Sequence, residues 1–181
     1  MVISTKFPFC VVGCLIKRKK QILLQKRERD LFKEYLTLPV GKLRLNESIV
    51  DAFSREMKEE TGLTPLNARF KGIIEILFTM KRKRFHTIIV LVETTEFKGK
   101  IKESDEGKLY WVRKSDVRKY RISPDIKILF KDFVSPCFLY VVVYMKLNKR
   151  EVMIKNLRIK RIYIKPHLNI LMNKYLKYFF E

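Results

Sequence analysis

Apolar positions along this chain fall in short runs rather than in long helical stripes. Phe9-Cys10-Val11-Val12-Gly13-Cys14-Leu15-Ile16 is unbroken by charge and reads as a buried strand. Gln21–Lys26 reads as a second strand, with Lys17-Arg18-Lys19-Lys20 as the hairpin turn between them. Residues 66–79 and 85–95 predict two long strands joined at Lys81-Arg82-Lys83-Arg84, and Leu109–Val112 a short one. Residues 138–145 and 152–164 predict a further hairpin around Leu147-Asn148-Lys149-Arg150. Helical signals are fewer. Ser48-Ile49-Val50-Asp51 has the form of an N-terminal capping box, and Gly62 is a natural stop. In between, Val50, Phe53 and Met57 form the expected core-facing stripe. Ser123-Pro124-Asp125 opens a second helix running to about Phe133, with Pro near its first position. Leu168–Phe180 has the pattern of a terminal amphipathic helix. No repeat or low-complexity linker interrupts the series, and many strands with few helices predict a mixed α/β sandwich.

Composition narrows this picture. A chain of 181 residues suits one domain, or one domain with an appendage, and 47% hydrophobic residues suffice for a core. The net charge of +21 is unevenly placed. Residues 1–46 carry 11 Lys/Arg against 3 Asp/Glu, residues 47–137 carry 19 against 14, and residues 138–181 carry 10 against 2. The ends are basic and the acids gather in the middle, a field that favours anionic partners such as nucleotides, nucleic acid or an acidic membrane surface. An odd count of three Cys without framework spacing points to reduced thiols and a cytoplasmic setting. Cys10 and Cys14 share a strand face, but too few other soft ligands exist to complete a zinc site. No apolar run approaches the ~20 residues that span a bilayer, so no membrane partner is expected, and no signal peptide is evident.

The acids of the middle region concentrate in Arg55-Glu56-Met57-Lys58-Glu59-Glu60. At about 100° per residue, Glu56, Glu59 and Glu60 share one arc of roughly 100° on a helix. Like charges three and four residues apart repel. A divalent cation is the natural counter-charge, since carboxylates are the hard ligands that Mg²⁺ or Mn²⁺ take. A solvated acidic face with local Arg and Lys pairing is the alternative from the arc alone.

The spacing goes further. From Gly41, five residues lead to Glu47 and seven more to Arg55-Glu56. Met57, Lys58, Glu59-Glu60, Thr61, Gly62 and Leu63 follow. This matches the Nudix box, Gx5Ex7REUxEExGU with U apolar, at every position. Seven fixed residues at average usage recur by chance on the order of once in 10⁸ windows. The chain therefore resembles the Nudix hydrolases over about residues 8–165, with residues 166–181 left as a basic C-terminal helical extension. The resemblance implies an α/β/α sandwich with a mixed sheet and a box folded as loop–helix–loop. It implies that Glu56, Glu59 and Glu60 hold Mg²⁺ or Mn²⁺, that Arg55 orients a metal-binding Glu, that Glu47 supports from outside and that Gly41 lets the loop turn. The family commonly has Pro-Gly-Gly before the box, the first Gly offering its carbonyl to the metal. Here Pro39-Val40-Gly41 stands there, so the carbonyl in question is that of Val40.

Glu103-Ser104-Asp105-Glu106, followed by Trp111, is similar to a segment of the MutT-like branch, whose type substrate is 8-oxo-dGTP. This resemblance makes Glu106 a candidate further ligand or base, Asp125 a candidate reader of the purine edge, and Arg27 a candidate phosphate contact. The plainer readings are a loop acid beside a turn Gly, an Asp favoured by the first turn's dipole, and one cation among many. The reading that results is a metal-dependent nucleoside triphosphate pyrophosphohydrolase releasing NMP and pyrophosphate. One alternative keeps the chemistry but takes RNA 5′ ends or another nucleoside diphosphate derivative. There Lys81–Arg84 and Lys155–Lys165, interleaved with Tyr140, Tyr144, Tyr163, Tyr175 and Tyr178, would hold a single strand. Another is a nucleotide-binding regulator without catalysis.

Overall fold

The computed structural model describes residues 7–29, 32–80, 83–102, 107–135, 137–147 and 158–164. In chain order the elements are β1 (Phe9–Arg18), β2 (Gln21–Lys26), β3 (Leu36–Thr37), β4 (Val40–Lys42), α1 (Ile49–Thr61), β5 (Thr64–Pro65), β6 (Arg69–Met80) and β7 (Lys83–Thr94). They continue as β8 (Phe97–Lys98), β9 (Leu109–Arg113), a 3₁₀ helix (Lys114–Lys119), α2 (Pro124–Phe133), β10 (Phe138–Leu147) and β11 (Arg158–Ile164). The terminal helix expected at 168–180 lies outside the described residues, as do Lys81, Arg82, Glu103–Glu106, Lys155, Lys165, Tyr175 and Tyr178.

Nine strands form one mixed sheet in the order β11-β10-β6-β7-β1-β2-β3, with β4 also on β1 and β9 also on β2. β1 lies parallel to β7 from Phe9↔Thr87 to Ile16↔Thr94, and only its last residues, Lys17 and Arg18, pair with β2. The hairpin turn is therefore Lys19-Lys20 alone, with Lys19 at φ 54°. The unbroken apolar run of β1 follows from its central place, because both faces of a central parallel strand are covered. Val12, Cys14 and Ile16 meet Ala52, Phe53 and Met57 of α1 on one face. Leu15 belongs to the larger cluster on the other face, with Leu91, Ile74, Val141 and Ile126, Leu129, Phe130 and Phe133 of α2. A helix on each face of a mixed sheet is the α/β/α sandwich expected from the sequence.

Two features of the fold departed from the hydropathy pattern. Val50 is 43% exposed, and Ala52 takes the core position beside Phe53 and Met57, all three fully buried. Ile49 and Ala52 take the core-facing positions of the first turns, so the buried arc lies to one side of the expected stripe and Val50 falls at its edge. The other departure is β10, which forms the predicted hairpin with β11 but also inserts parallel to β6, from Leu139↔Gly72 to Leu147↔Met80. A bulge between Phe70 and Gly72 turns Lys71 inward. Its Nζ donates to the carbonyls of Ser135 and Cys137 (2.8 Å to the latter) and fastens the α2–β10 connection. Burial pushes the Lys71 amine pKa down. At the far end of β7 the buried Glu93 carboxylate accepts from Lys17 Nζ at 2.6 Å and from Arg69, as a buried charge requires.

Candidate active site

α1 begins where the sequence says it should. The Ser48 hydroxyl accepts from the Asp51 N–H at 3.1 Å and donates to Asp51 Oδ2 at 2.6 Å. It ends at Gly62, which adopts φ 75° and returns its N–H to Lys58 O at 3.0 Å. A left-handed C-cap strongly favours glycine. Burying Phe53 and Met57 contributes about 1.5–3 kcal/mol each and fixes which way the helix faces. That orientation brings Glu56 (9% exposed) and Glu60 (6%) against the sheet, while Glu59 stays half exposed at the rim. The acidic arc is thus graded: two carboxylates are inward and one is at the edge.

Arg55 is the hub. Its Nε donates to Glu47 Oε1 at 2.6 Å and its Nη2 to Glu47 Oε2 at 2.8 Å, a bidentate pair. Nη2 also donates to Lys42 O at 3.0 Å, and Nη1 donates to Glu56 Oε1 at 2.5 Å and to Glu59 Oε2 at 3.2 Å. All five N–H donors are committed. The Glu47 carboxyl is held down at about 2, chiefly by its bonds to Arg55 and further by the Arg44 N–H. Arg55 is correspondingly raised, first by Glu47 and then by Glu56. Arg44 adds its Nη2 to Glu59 Oε1 at 3.5 Å. Glu47 thus clamps Arg55 from outside the acidic face.

Glu56 has a made seat. A Cβ at Gly41 would lie 1.7 Å from the Glu56 carboxyl carbon and 2.1 Å from each of its oxygens. The carboxylate occupies the space a side chain at position 41 would fill. Gly41 is placed by β4, which pairs with β1 through Val12↔Gly41 and Gly13↔Val40. The close approach, rather than an unusual φ, is what position 41 demands. Val40 sits one residue before this seat, with its side chain against the larger core cluster. Beneath the helix, the Cys14 thiol is pushed well up, first by burial and then by the charges of Glu60 and Glu56. The field of the two inward carboxylates thus reaches the core.

Among the described residues no three acidic, His or Cys side chains converge as a ready-made ion cage. The donor set nonetheless suits Mg²⁺ or Mn²⁺, hard ions that protein sites hold through one or two carboxylates with substrate phosphates completing the shell. Glu56, locked by Arg55 and the Gly41 seat, and Glu60, one turn on, are the residues fitted to hold such an ion, with Glu59 at the rim.

Two further side chains with buried polar atoms, Gln25 and Thr37, were not singled out in the sequence. Gln25 and Thr37 are cross-strand partners of β2 and β3. Both alternate with residues of the larger cluster, so they face the α1 side. Among the described residues, buried Gln25 Nε2 and Thr37 Oγ1 have no hydrogen-bond partner, and the same holds for Asp125 Oδ1. The segment leading to Asp125 is hung on β3, with Leu36 N donating to Arg121 O at 2.8 Å and Ser123 N to Leu36 O at 3.0 Å. Burial raises the Asp125 carboxyl pKa, partly offset by the Ser123 hydroxyl and by backbone N–H groups of the first turn. Unmatched buried polar atoms are rare in folded proteins and call for a reason. The only advance signal was a Gln inside an apolar strand, and its unmatched state depends on β3 and the 121–123 segment, which sequence periodicity does not pair.

Arg27, half-buried, opens the β2–β3 loop, its N–H on Tyr35 O at 3.0 Å. It therefore follows Gln25 by two residues rather than joining the Arg55 network. Glu106 lies outside the described residues. Gly107, next to it, packs on the Lys26 carbonyl. Of the tyrosines considered for stacking, Tyr140 donates its hydroxyl to Glu75 Oε1 at 2.5 Å within the sheet, while Tyr144 is exposed.

An α/β/α sandwich with a capped acidic helix, an arginine hub and a glycine seat for one carboxylate places acidic groups where a hard cation fits, and comparison with known proteins identifies the class. The chain belongs to the Nudix family: the NUDIX domain model matches residues 8–133. It is 30% identical over 126 residues to an 8-oxo-dGTP diphosphatase of Buchnera aphidicola, covering 68% of this chain and 92% of that protein. It is 32% identical over 102 residues to an ADP-ribose pyrophosphatase of Methanocaldococcus jannaschii, covering 56% of this chain and 59% of that one. The structure superposes on a MutT protein of Bacillus halodurans with a TM-score of 0.70 at 28% identity, covering 84% of this chain and 97% of the other. The chain is a Nudix hydrolase of MutT-like type, a family that acts on nucleotide substrates and generally uses divalent metals such as Mg²⁺. β10 and β11 extend the sheet beyond the matched segment. Among the described residues no helix is long and apolar enough to cross a membrane.

Proposed function

We propose that this protein hydrolyses nucleoside triphosphates of the oxidised-purine kind to NMP and pyrophosphate, in the presence of Mg²⁺ or Mn²⁺. The observation that carries the reading is the set of carboxylates organised by Arg55, and three buried polar atoms without a partner among the described residues, on Gln25, Thr37 and Asp125, support it. Glu56 and Glu60 would hold a divalent ion, which would supply charge stabilisation for the phosphates. Arg55 holds Glu56 in one rotamer, so no side chain must reorganise as charge develops. Gln25 offers an amide donor, Thr37 a hydroxyl and Asp125 a carboxyl, a set able to read a heteroaromatic edge and poorly suited to a bare sugar phosphate. Arg27 and Glu106 are the remaining candidates for contact with the phosphates and metal.

The likeness to an ADP-ribose pyrophosphatase favours a second reading, in which the substrate is a nucleoside diphosphate derivative cut by the same carboxylates. A panel of 8-oxo-dGTP, dGTP, ATP, ADP-ribose and a 5′-triphosphate RNA, assayed with Mg²⁺ by product chromatography, separates the two. Pyrophosphate with NMP from 8-oxo-dGTP at the highest kcat/KM supports the proposal. AMP with ribose phosphate as the dominant products replaces it with the second reading, and no turnover of any member by folded protein refutes both.

Asp125 gives an independent check. Asp125→Asn removes a buried ionisable group whose charged form is penalised by desolvation. The variant is expected to melt at the same temperature as the parent, or a higher one, at neutral pH. Its KM for the preferred nucleotide is expected to rise about tenfold, one hydrogen bond's worth. A variant that is destabilised with KM unchanged shows Asp125 to be a structural helix residue instead.

A further inference from the structure

The rim of the carboxylate face holds a cation that the reading above leaves unused. Arg44 lies in the loop between β4 and α1, its side chain 60% exposed. Its backbone N–H donates to Glu47 Oε2 at 3.1 Å, so its Cα is pinned to the same network as Arg55. Its guanidinium, at the end of a flexible stem, meets Glu59 Oε1 at 3.5 Å, while Glu59 Oε2 meets Arg55 at 3.2 Å. Both are longer than the 2.5–2.8 Å bonds by which Arg55 grips Glu56 and Glu47. Arginines cover both oxygens of Glu59 but hold it less closely than they hold Glu47 and Glu56.

The network cannot stay so when substrate arrives. Arg55 spends most of its N–H groups on Glu47, Glu56 and the Lys42 carbonyl, which hold it in place. Arg44 holds only a long, exposed ion pair, a weak interaction in water, and among the described residues Glu59 is the one side chain its guanidinium meets. A guanidinium binds a phosphate bidentately and more strongly than it binds one oxygen of a solvated carboxylate. We propose that Arg44 is a displaceable counter-ion: a divalent cation takes its place on Glu59, and the released guanidinium binds a phosphate of the substrate. Metal and phosphate would then each favour the other's binding through one side chain, a coupling that must be reciprocal. This rests on the reading that the carboxylate face takes a divalent ion.

Two measurements that need no turnover test it, on Arg44→Gln and Arg44→Lys. Mn²⁺ titrated into nucleotide-free protein, followed by electron paramagnetic resonance, should bind Arg44→Gln about two- to fivefold more tightly than the parent, because the competing cation is gone. Pyrophosphate titrated calorimetrically at saturating Mg²⁺ should bind Arg44→Gln about five- to tenfold more weakly, with Arg44→Lys in between. Unchanged or weaker Mn²⁺ affinity in Arg44→Gln, or unchanged pyrophosphate affinity, overturns the proposal while leaving the metal site standing. Parent protein that binds no Mn²⁺ overturns the metal reading itself and this inference with it. Arg44 is exposed, so melting curves of both variants should overlay the parent's, and a loss of fold in both would show that the residue is structural.

Discussion

Replacing Glu56 by Gln is expected to lower kcat about 1000-fold at saturating Mg²⁺ while leaving the protein folded. The factor follows from losing one anionic ligand of an ion that stabilises phosphate charge by several kcal/mol, at 1.36 kcal/mol per tenfold. The fold should tolerate the change because Gln keeps an oxygen that can accept from Arg55 Nη1, now at 2.5 Å from Glu56 Oε1. It also relieves the repulsion between Glu56 and Glu60, like charges four residues apart on a buried face, worth a few tenths of a kcal/mol. The melting midpoint should therefore hold or rise slightly. Glu60→Gln should fall by a similar factor. Glu59→Gln should fall less, since that carboxylate is half exposed and shared between two arginines. Steady-state kinetics at several Mg²⁺ concentrations, with thermal melts, provide the check. Turnover of Glu56→Gln within threefold of the parent would remove the carboxylate face from the chemistry altogether.

The sequence carried this part of the site almost whole, for a local reason. Everything from Ser48 to Gly62 is decided within one helix and its caps, and spacing along a helix maps directly onto angle. The clamp of Glu47 on Arg55 is local, because Glu47 stands just before the N-cap Ser48 and Arg55 lies about two turns into α1. What spacing could not show was depth. Glu56 and Glu60 turn inward and Glu59 outward because Phe53 and Met57 set the rotation of α1 against β1, and that rotation also leaves Val50 in solvent. The long strands were legible from their apolar runs. The two-residue pairs β3, β5 and β8 were not, since two residues have no period, and neither was the parallel insertion of β10 beside β6. The unmatched polar group of Gln25, Thr37 and Asp125 was lost for the same reason. It exists only once β2, β3 and the segment before α2 are laid side by side, so of its members only Asp125 was reached, through family resemblance rather than pattern.

Gly41→Ala is the sharpest test of geometry as distinct from charge. No carboxylate is removed and the net charge is unchanged. The added methyl nevertheless falls 1.7 Å from the Glu56 carboxyl carbon, a distance no real contact permits, so Glu56 must leave its seat. Displacement of a reacting group by about 1 Å costs on the order of 100-fold in rate, and kcat of Gly41→Ala should drop by that factor. Position 41 has no positive φ, and the Val12↔Gly41 pairing of β4 with β1 asks nothing of its side chain, so alanine should not break the strand. Shortening the displaced side chain supplies the control. Glu56→Asp withdraws the carboxylate by one methylene, which is costly with Gly at 41 but relieves the clash with Ala there. The double variant should therefore be no slower than Gly41→Ala alone, and the two changes should be strongly non-additive in a double-mutant cycle. If the changes instead multiply, position 41 acts independently of Glu56. If Gly41→Ala is as active as the parent, the seat is not where the reacting carboxylate works, and the glycine is kept for the loop rather than for the chemistry.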